Sequence, residues 1–184
     1  MRVTSSRSRS EFPGAQHYNS RARELTGVFH RESGSDDYIL ARWLWVPHPI
    51  SDVFRFFAAA ENLGAITPPE LRFRIRSDLP AEMQAGTLID YTISLFRVPM
   101  RWRTGITHWD PPHSFTDTQL SGPYAKWVHT HQFFPELGGT TIRDRVRYRL
   151  PFGRVGKLAS PLVARQLKRI FDYREARLTK IFSD

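Results

Sequence analysis

The sequence predicts an α+β domain, with a curved antiparallel β-sheet wrapped around a long C-terminal α-helix and two short helices after the first strand. Three observations predict it. Alternating or continuous apolar segments run from Tyr38 to Leu150, punctuated by Pro and Gly, as strands joined by short connections require. Between the first of these and the rest lie two stretches with helical spacing, both bounded by prolines. After Ser160-Pro161 one long apolar stripe continues at helical spacing to the end of the chain.

The elements follow in order. Residues 38–46 are aromatic and aliphatic and predict a strand, which Pro47 and Pro49 break. Ile50, Val53, Phe54 and Phe57 recur at helical spacing, and a second short helix over 61–66 stops at Thr67-Pro68-Pro69. Leu71, Phe73 and Ile75 alternate with Arg72, Arg74 and Arg76, predicting a strand with one wet face. Further strands are expected over 88–96, 100–109, 114–120, 126–134 and 140–150. In the first of these Ile89, Tyr91, Ile93 and Leu95 share a face, and in the next Trp102, Thr104, Ile106 and His108 do. Ser160 reads as an N-cap with Pro161 at the first helical position. Leu162, Val163, Leu167, Ile170, Phe171, Leu178, Ile181 and Phe182 form the stripe, while Val155 and Leu158 belong to a preceding turn or to the same helix, kinked.

Composition narrows the function classes. The chain has 184 residues, 40% hydrophobic and 13% aromatic, enough for one core and one domain after a tail. Cysteine is absent, which excludes disulfides, thiolate metal sites and a cysteine nucleophile, and fits a cytoplasmic location. No apolar run reaches the ~20 residues of a membrane span, and residues 1–10 lack the apolar core of a secretory signal. The net charge is +9, and arginine supplies 23 of the 27 basic residues. Residues 1–36, rich in Ser, Arg and Gly, are expected to be a basic, disordered tail with a short helical turn near 21–25, and residues 37–184 the folded domain. No serine occupies a nucleophile-elbow pattern and no glycine-rich phosphate loop occurs.

Several segments carry a family resemblance. They are Pro49-Ile50-Ser51-Asp52-Val53-Phe54, Asn62-Leu63-Gly64-Ala65-Ile66-Thr67-Pro68, the run from Gly122-Pro123-Tyr124 through Trp127-Val128-His129-Thr130-His131-Gln132-Phe133, and Tyr148-Arg149-Leu150-Pro151-Phe152-Gly153. With the element order, they resemble a bacterial branch of the START-like SRPBCC superfamily, which includes polyketide cyclases and dehydratases, coenzyme Q-binding proteins and lipid-transfer domains. The resemblance spans residues 38–183 and implies the helix-grip fold, with a cavity between sheet and helix. It implies no shared catalytic set, so function has to come from the site.

Strand faces place the site. Burying Arg143, Arg145, Arg147 and Arg149 would be prohibitive, so they face water, and Ile142, Asp144, Val146, Tyr148 and Leu150 face inward. The Gly138-Gly139 turn then sets Asp144 opposite His131, and the Gly122-Pro123 turn sets Asp117 opposite His129 and Gln119 opposite Trp127. The expected inward polar cluster is Asp117, Gln119, His129, His131, Asp144 and Tyr148. It has three readings: a buried hydrogen-bond network, polar recognition inside an apolar cavity, or acid–base chemistry. Candidate catalytic groups are His129, His131, Asp117 and Asp144. Candidate ligand-binding residues are Tyr91, Trp102, Gln119, Trp127, His129, His131, Phe133, Tyr148 and Phe171. His-x-His puts two rings on one strand face, but a metal needs a third ligand that the sequence does not place, so neither metal nor cofactor is expected. Phe54 and Phe57 are expected to pack the core or guard the cavity mouth, and His48, His108 and His113 to lie on the surface or in loops.

The leading expectation is a carrier or sensor of a small hydrophobic ligand such as a lipid, quinone or polyketide. One alternative is a cofactor-free cyclase or dehydratase using the inward His and Asp groups as general acid and base. Another is an adaptor working through the basic outer face, which could also meet an anionic membrane surface transiently. Nucleic-acid binding is not expected, because neither exposed interleaved aromatics nor a basic groove-binding helix is evident.

Overall fold

The computed structural model describes residues 28–183. In chain order the strands are β1 (Val28–Arg31), β2 (Tyr38–Val46), β3 (Arg74–Ile75), β4 (Leu88–Leu95), β5 (Val98–Asp110), β6 (Ser114–Ser121), β7 (Lys126–Glu136) and β8 (Gly139–Arg149). The helices are α1 (Ile50–Ala58), α2 (Gly153–Leu158) and α3 (Ser160–Ile181), and two 3-10 turns, Ala60–Gly64 and Pro69–Leu71, follow α1. One unclosed antiparallel sheet runs in the order β1-β2-β8-β7-β6-β5-β4-β3. Consecutive hairpins β4 to β8 build most of it, and the β2–β8 pairing brings the first long strand back beside the last. The curved inner face grips α3, as the α+β helix-grip arrangement requires.

The buried apolar residues divide into two clusters. One gathers Leu40, Trp102, Trp127, Tyr148, Leu167 and Phe171, and the other Val46, Phe54, Phe115, Phe133, Leu178 and Phe182. Each half of α3 serves one cluster. Phe54 packs against Trp109, Phe115 and Phe133 at 5.3, 6.1 and 5.5 Å between rings, so it belongs to the core.

Three expectations need correction. The strand over 71–76 shrinks to Arg74–Ile75, because the Pro69–Leu71 turn ends with Arg72 in the left-handed region at φ 46°. On β5 the register shifts between Ile106 and His108, so His108 is exposed while Trp102, Thr104 and Ile106 stay buried. Ser160 caps nothing: α2 runs into α3 through Ala159, Pro161 sits in the first turn, and Val155, Leu158 and Leu162 are exposed. Within the segment expected as tail, Val28–Arg31 pairs with the N-terminal half of β2 as an edge strand. Residues 1–27 of the expected tail, including the turn near 21–25, lie outside the described residues.

The arginine stripe of β8 faces outward, and three of its four arginines, Arg143, Arg147 and Arg149, are engaged there. Asp37, fully buried after β1, receives hydrogen bonds from Lys126 Nζ (2.9 Å) and Arg149 Nε (2.7 Å), and Arg147 Nε lies 2.6 Å away. Arg143 lies over the Trp43 ring at 4.8 Å. Burial alone would push the Asp37 carboxyl up, but these cations outweigh it and hold the pKa at about 2. A depressed carboxyl stabilises the fold above its ordinary value and loses that contribution as pH falls through its native one. Asp37→Asn should therefore be less stable than wild type by about 1–2 kcal/mol at pH 6, allowing for the half-exposed cations. The deficit should shrink as pH falls toward 2 and vanish only below it. Denaturant melts of both proteins across that range check it, and a pH-independent deficit would exclude the ion pairs as its source.

The β7–β8 turn depends on two glycines. Gly138 has φ +77°, and a Cβ on Gly139 would lie 2.2 Å from the Val46 carbonyl oxygen and 2.8 Å from the Trp45 ring. Backbone cannot yield cheaply there, so Gly139→Ala should lower stability by about 2 kcal/mol, or Tm by about 4–8 °C. A thermal melt within 1 °C of wild type, or about that, would show that the turn tolerates the methyl.

Candidate functional site

Between the sheet and α3 lies a cavity of about 150 Å³. Its walls come from the end of α1 and the following turn (Phe57, Leu63), from β4 and β5 (Tyr91, Trp102), from β6 and β7 (Asp117, Trp127, His129, His131) and from α3 (Leu167, Phe171, Arg174). The wall is mostly aromatic because a single helix cannot fill the inner face of a curved sheet this wide. Trp102 stacks on Tyr91 at 5.7 Å and meets Trp127 edge-on at 5.3 Å.

The polar end of the cavity is set by strand register. Asp117 of β6 faces His129 of β7, and His131 of β7 faces Asp144 of β8. Alternation along β7 puts both imidazoles on the inner face, with centroids 3.9 Å apart. Asp144 Oδ1 lies 2.6 Å from His131 Nδ1 and 3.4 Å from His129 Nε2, so one buried carboxylate lies against both rings, although none of these three atoms closes a well-aligned hydrogen bond. On their other sides, His129 Nδ1 and His131 Nε2 each lie 3.5 Å from Asp117 Oδ2. Thr104 Oγ1 approaches Asp117 Oδ1 at 3.4 Å. Phe115 stacks on His131 at 4.3 Å, and Phe57 lies 5.5 Å from it, walling the pair from solvent.

The electrostatics follow from burial and pairing. Desolvation and the neighbouring His131 charge lower the pKa of His129. Desolvation also opposes charge on His131, but Asp144 and Asp117 outweigh it and raise its pKa. Burial would lift both carboxyls, yet the imidazoles hold Asp117 below and Asp144 well below the ordinary carboxylate value. The pair thus favours one imidazolium rather than two. Burial, with Asp117 nearby, drives Tyr91 well above the usual phenol range.

Of the residues expected to bind ligand, Tyr91, Trp102, Trp127, His129, His131 and Phe171 line the cavity. Of the candidate catalytic set, Asp117, His129 and His131 line it, whereas Asp144 lies behind the imidazoles. Three expected ligand residues lie elsewhere. The β6–β7 ladder ends at Thr118↔Val128, and the Gln119 amide closes the turn, donating to the Tyr124 carbonyl (2.7 Å) and accepting from its N–H (3.3 Å). Phe133 fills the second cluster, and Tyr148 is buried against Tyr38 and Trp127. His48 is half-buried beside Phe182, while His108 and His113 are exposed.

Arg174 was not anticipated. Its side chain is 12% exposed, lines the cavity, lies over the Phe171 ring at 5.1 Å and reaches Asp144 Oδ2 only at 4.0 Å. Its Nε and Nη1 are buried without a hydrogen-bond partner. The signal was available: Leu167, Phe171, Arg174 and Leu178 follow one helical stripe, and an arginine inside such a stripe has to point at something polar.

A curved antiparallel sheet gripping a C-terminal helix over an aromatic cavity defines the START-like class of ligand-binding domains. The family model described as "Polyketide cyclase / dehydrase and lipid transport" matches residues 46–172, and the chain belongs to that family. It is a hydrophobic ligand-binding domain by family and fold. Among solved structures, TTHA0849 from Thermus thermophilus is 21% identical with a TM-score of 0.57, over 76% of this chain and 95% of that one. A START superfamily protein from Mycobacterium smegmatis superposes with a TM-score of 0.60 at 10% identity, covering 78% and 98%. A Thalictrum norcoclaurine synthase point mutant, in complex with a transition-state analogue, gives 0.59 at 16% identity, covering 80% and 97%. At these identities the likeness is one of fold. No curated protein matches the sequence. Among the described residues no helix is long and apolar enough to cross a membrane.

Proposed function

We propose that the chain is a cytoplasmic carrier or sensor that holds a hydrophobic ligand under α3. The observation that carries this reading is the aromatic cavity with its single polar end. Its volume selects among ligands. A dry cavity of about 150 Å³ accommodates one benzene-sized ring, so the quinone head group or one ring of a polyketide is the portion the site holds as it stands. A lipid chain or a fused-ring polyketide would need α3 or the turn after α1 to move outward. Native mass spectrometry of protein purified from cells, followed by organic extraction, tests the reading. A reproducible extra mass that extracts as a quinone, lipid or aromatic compound is expected. An apo mass together with no quenching of Trp102 and Trp127 fluorescence by soluble quinones would overturn it.

One observation favours a cyclase- or dehydratase-type enzyme as the second reading: His129, His131 and Asp117 all border the space a ligand would occupy. Turnover abolished in His129→Ala or His131→Ala with the fold intact would favour it. Ligand binding unchanged in those variants favours the carrier. The adaptor reading, and with it transient contact with an anionic membrane, draws less support. Asp37 and Glu32 occupy Arg147 and Arg149, and Trp43 covers Arg143.

A further inference from the structure

We propose that Asp117, His129 and His131 form a binding site for one divalent transition-metal ion, with Asp144 as the carboxylate that orients both imidazoles. Three ligand atoms from these residues lie within 4.8 Å of one another. Asp117 Oδ2 stands 3.5 Å from His129 Nδ1 and 3.5 Å from His131 Nε2. Neither separation makes a good hydrogen bond, which for nitrogen and oxygen closes at about 2.7–3.2 Å. Both are close to the edge of a tetrahedron around a zinc-like ion, about 3.4 Å when metal–ligand bonds are about 2.0–2.1 Å.

The outer nitrogens point to the same arrangement. Asp144 Oδ1 sits 2.6 Å from His131 Nδ1 and 3.4 Å from His129 Nε2. At 2.6 Å the carboxylate favours the ring proton on His131 Nδ1 and so a lone pair on Nε2 of the neutral ring, whereas the two carboxylates are nearly equidistant from the two nitrogens of His129. With both rings neutral, a nitrogen of each faces the Asp117 carboxylate oxygen, and a metal ion would take the place of the proton that the pair otherwise holds. Carboxylate–histidine–metal arrangements use this second carboxylate to fix tautomer and ring orientation. The donors sit on adjacent strands in cross-strand register, so little reordering is needed to bind.

Two imidazoles and one carboxylate, in a chain without thiols, suit zinc, cobalt or ferrous iron better than calcium or magnesium. All three ligand residues border the cavity, so the remaining coordination position opens onto it. The proposal stands apart from the ligand reading, because metal binding needs no hydrophobic ligand.

The test uses the full chain, stripped by chelator dialysis and titrated with Co²⁺ and then Zn²⁺. We expect one equivalent of Co²⁺ with the intense visible bands of a low-coordinate site, displaced by Zn²⁺. Asp117→Asn, nearly isosteric, should weaken binding by about 100-fold or more, and Asp144→Asn by about 10–100-fold. The absence of a stoichiometric site in wild type would overturn the proposal, the cation then being a proton shared by the two rings. Binding that survives Asp117→Asn would also overturn it, assigning the metal to the other five of the seven histidines. If Asp117→Asn fails to fold, long-range ¹H–¹⁵N spectra of the wild-type imidazoles decide. Zn²⁺ should shift Nδ1 of His129 and Nε2 of His131, and shifts confined to other histidines would overturn the site.

Discussion

Asp144→Ala should lower folding stability by about 3–5 kcal/mol, the cost of removing one partner from a buried charged cluster. Among the described residues, Asp144 is the only acid within reach of the outer nitrogens of both rings, at 2.6 Å and 3.4 Å. It is buried, and so are His129 and His131. Without it, two imidazoles 3.9 Å apart lose the charge that compensates their desolvation. Arg174, 4.0 Å from the other carboxylate oxygen, would lose its nearest acid as well. Alanine also opens a void between the two apolar clusters, where the sheet meets the middle of α3. Urea melts of wild type, Asp144→Ala and Asp144→Asn measure the effect. Asparagine keeps the volume and one acceptor, so it should fall between the other two. A loss under about 1 kcal/mol for alanine would mean that the rings are satisfied some other way.

Trp127→Ala should cost a similar amount, about 3–5 kcal/mol, by a different route. Trp127 is 9% exposed and sits opposite Tyr148 in the β7–β8 ladder. Its ring lies 5.3 Å from Trp102, 4.8 Å from Tyr124 and 6.4 Å from His129, so it joins the aromatic wall to the polar end of the cavity. Removing the indole deletes a large apolar surface and leaves a hole that a strand held in the β8 ladder cannot close. Trp127→Phe should recover most of the stability, since the edge-on and tilted ring contacts survive. Affinity for a quinone-sized probe should fall about 2–10-fold in the alanine variant, the worth of one aromatic contact. Full stability with full affinity in Trp127→Ala would remove the indole from both core and site.

Hairpins were legible because turn chemistry and alternation agree. Pro and Gly between 110 and 139 delimit β6, β7 and β8, and four alternating arginines on β8 can face only one way, which orients Asp144 inward. The pairings of Asp117 with His129 and of His131 with Asp144 follow from those two facts alone. Gln119 misled because its place in the alternation says nothing about a turn whose backbone its amide can satisfy. Phe133 and Tyr148 misled because inward means core as readily as cavity, and only the position of α3 separates the two. β1 escaped notice because a short edge strand carries little periodicity.

The sequence by itself determined the element order, the sheet's two faces and the inward set of imidazoles and carboxylates. Local periodicity and turn residues act over a few positions and need no knowledge of distant contacts. The tertiary structure alone decided that α3 leaves a cavity of about 150 Å³, that Arg174 points into it, and that Asp117 supplies a third donor 3.5 Å from each imidazole. Sheet curvature and helix placement, summed over the whole chain, set those distances, and no short stretch of residues encodes them.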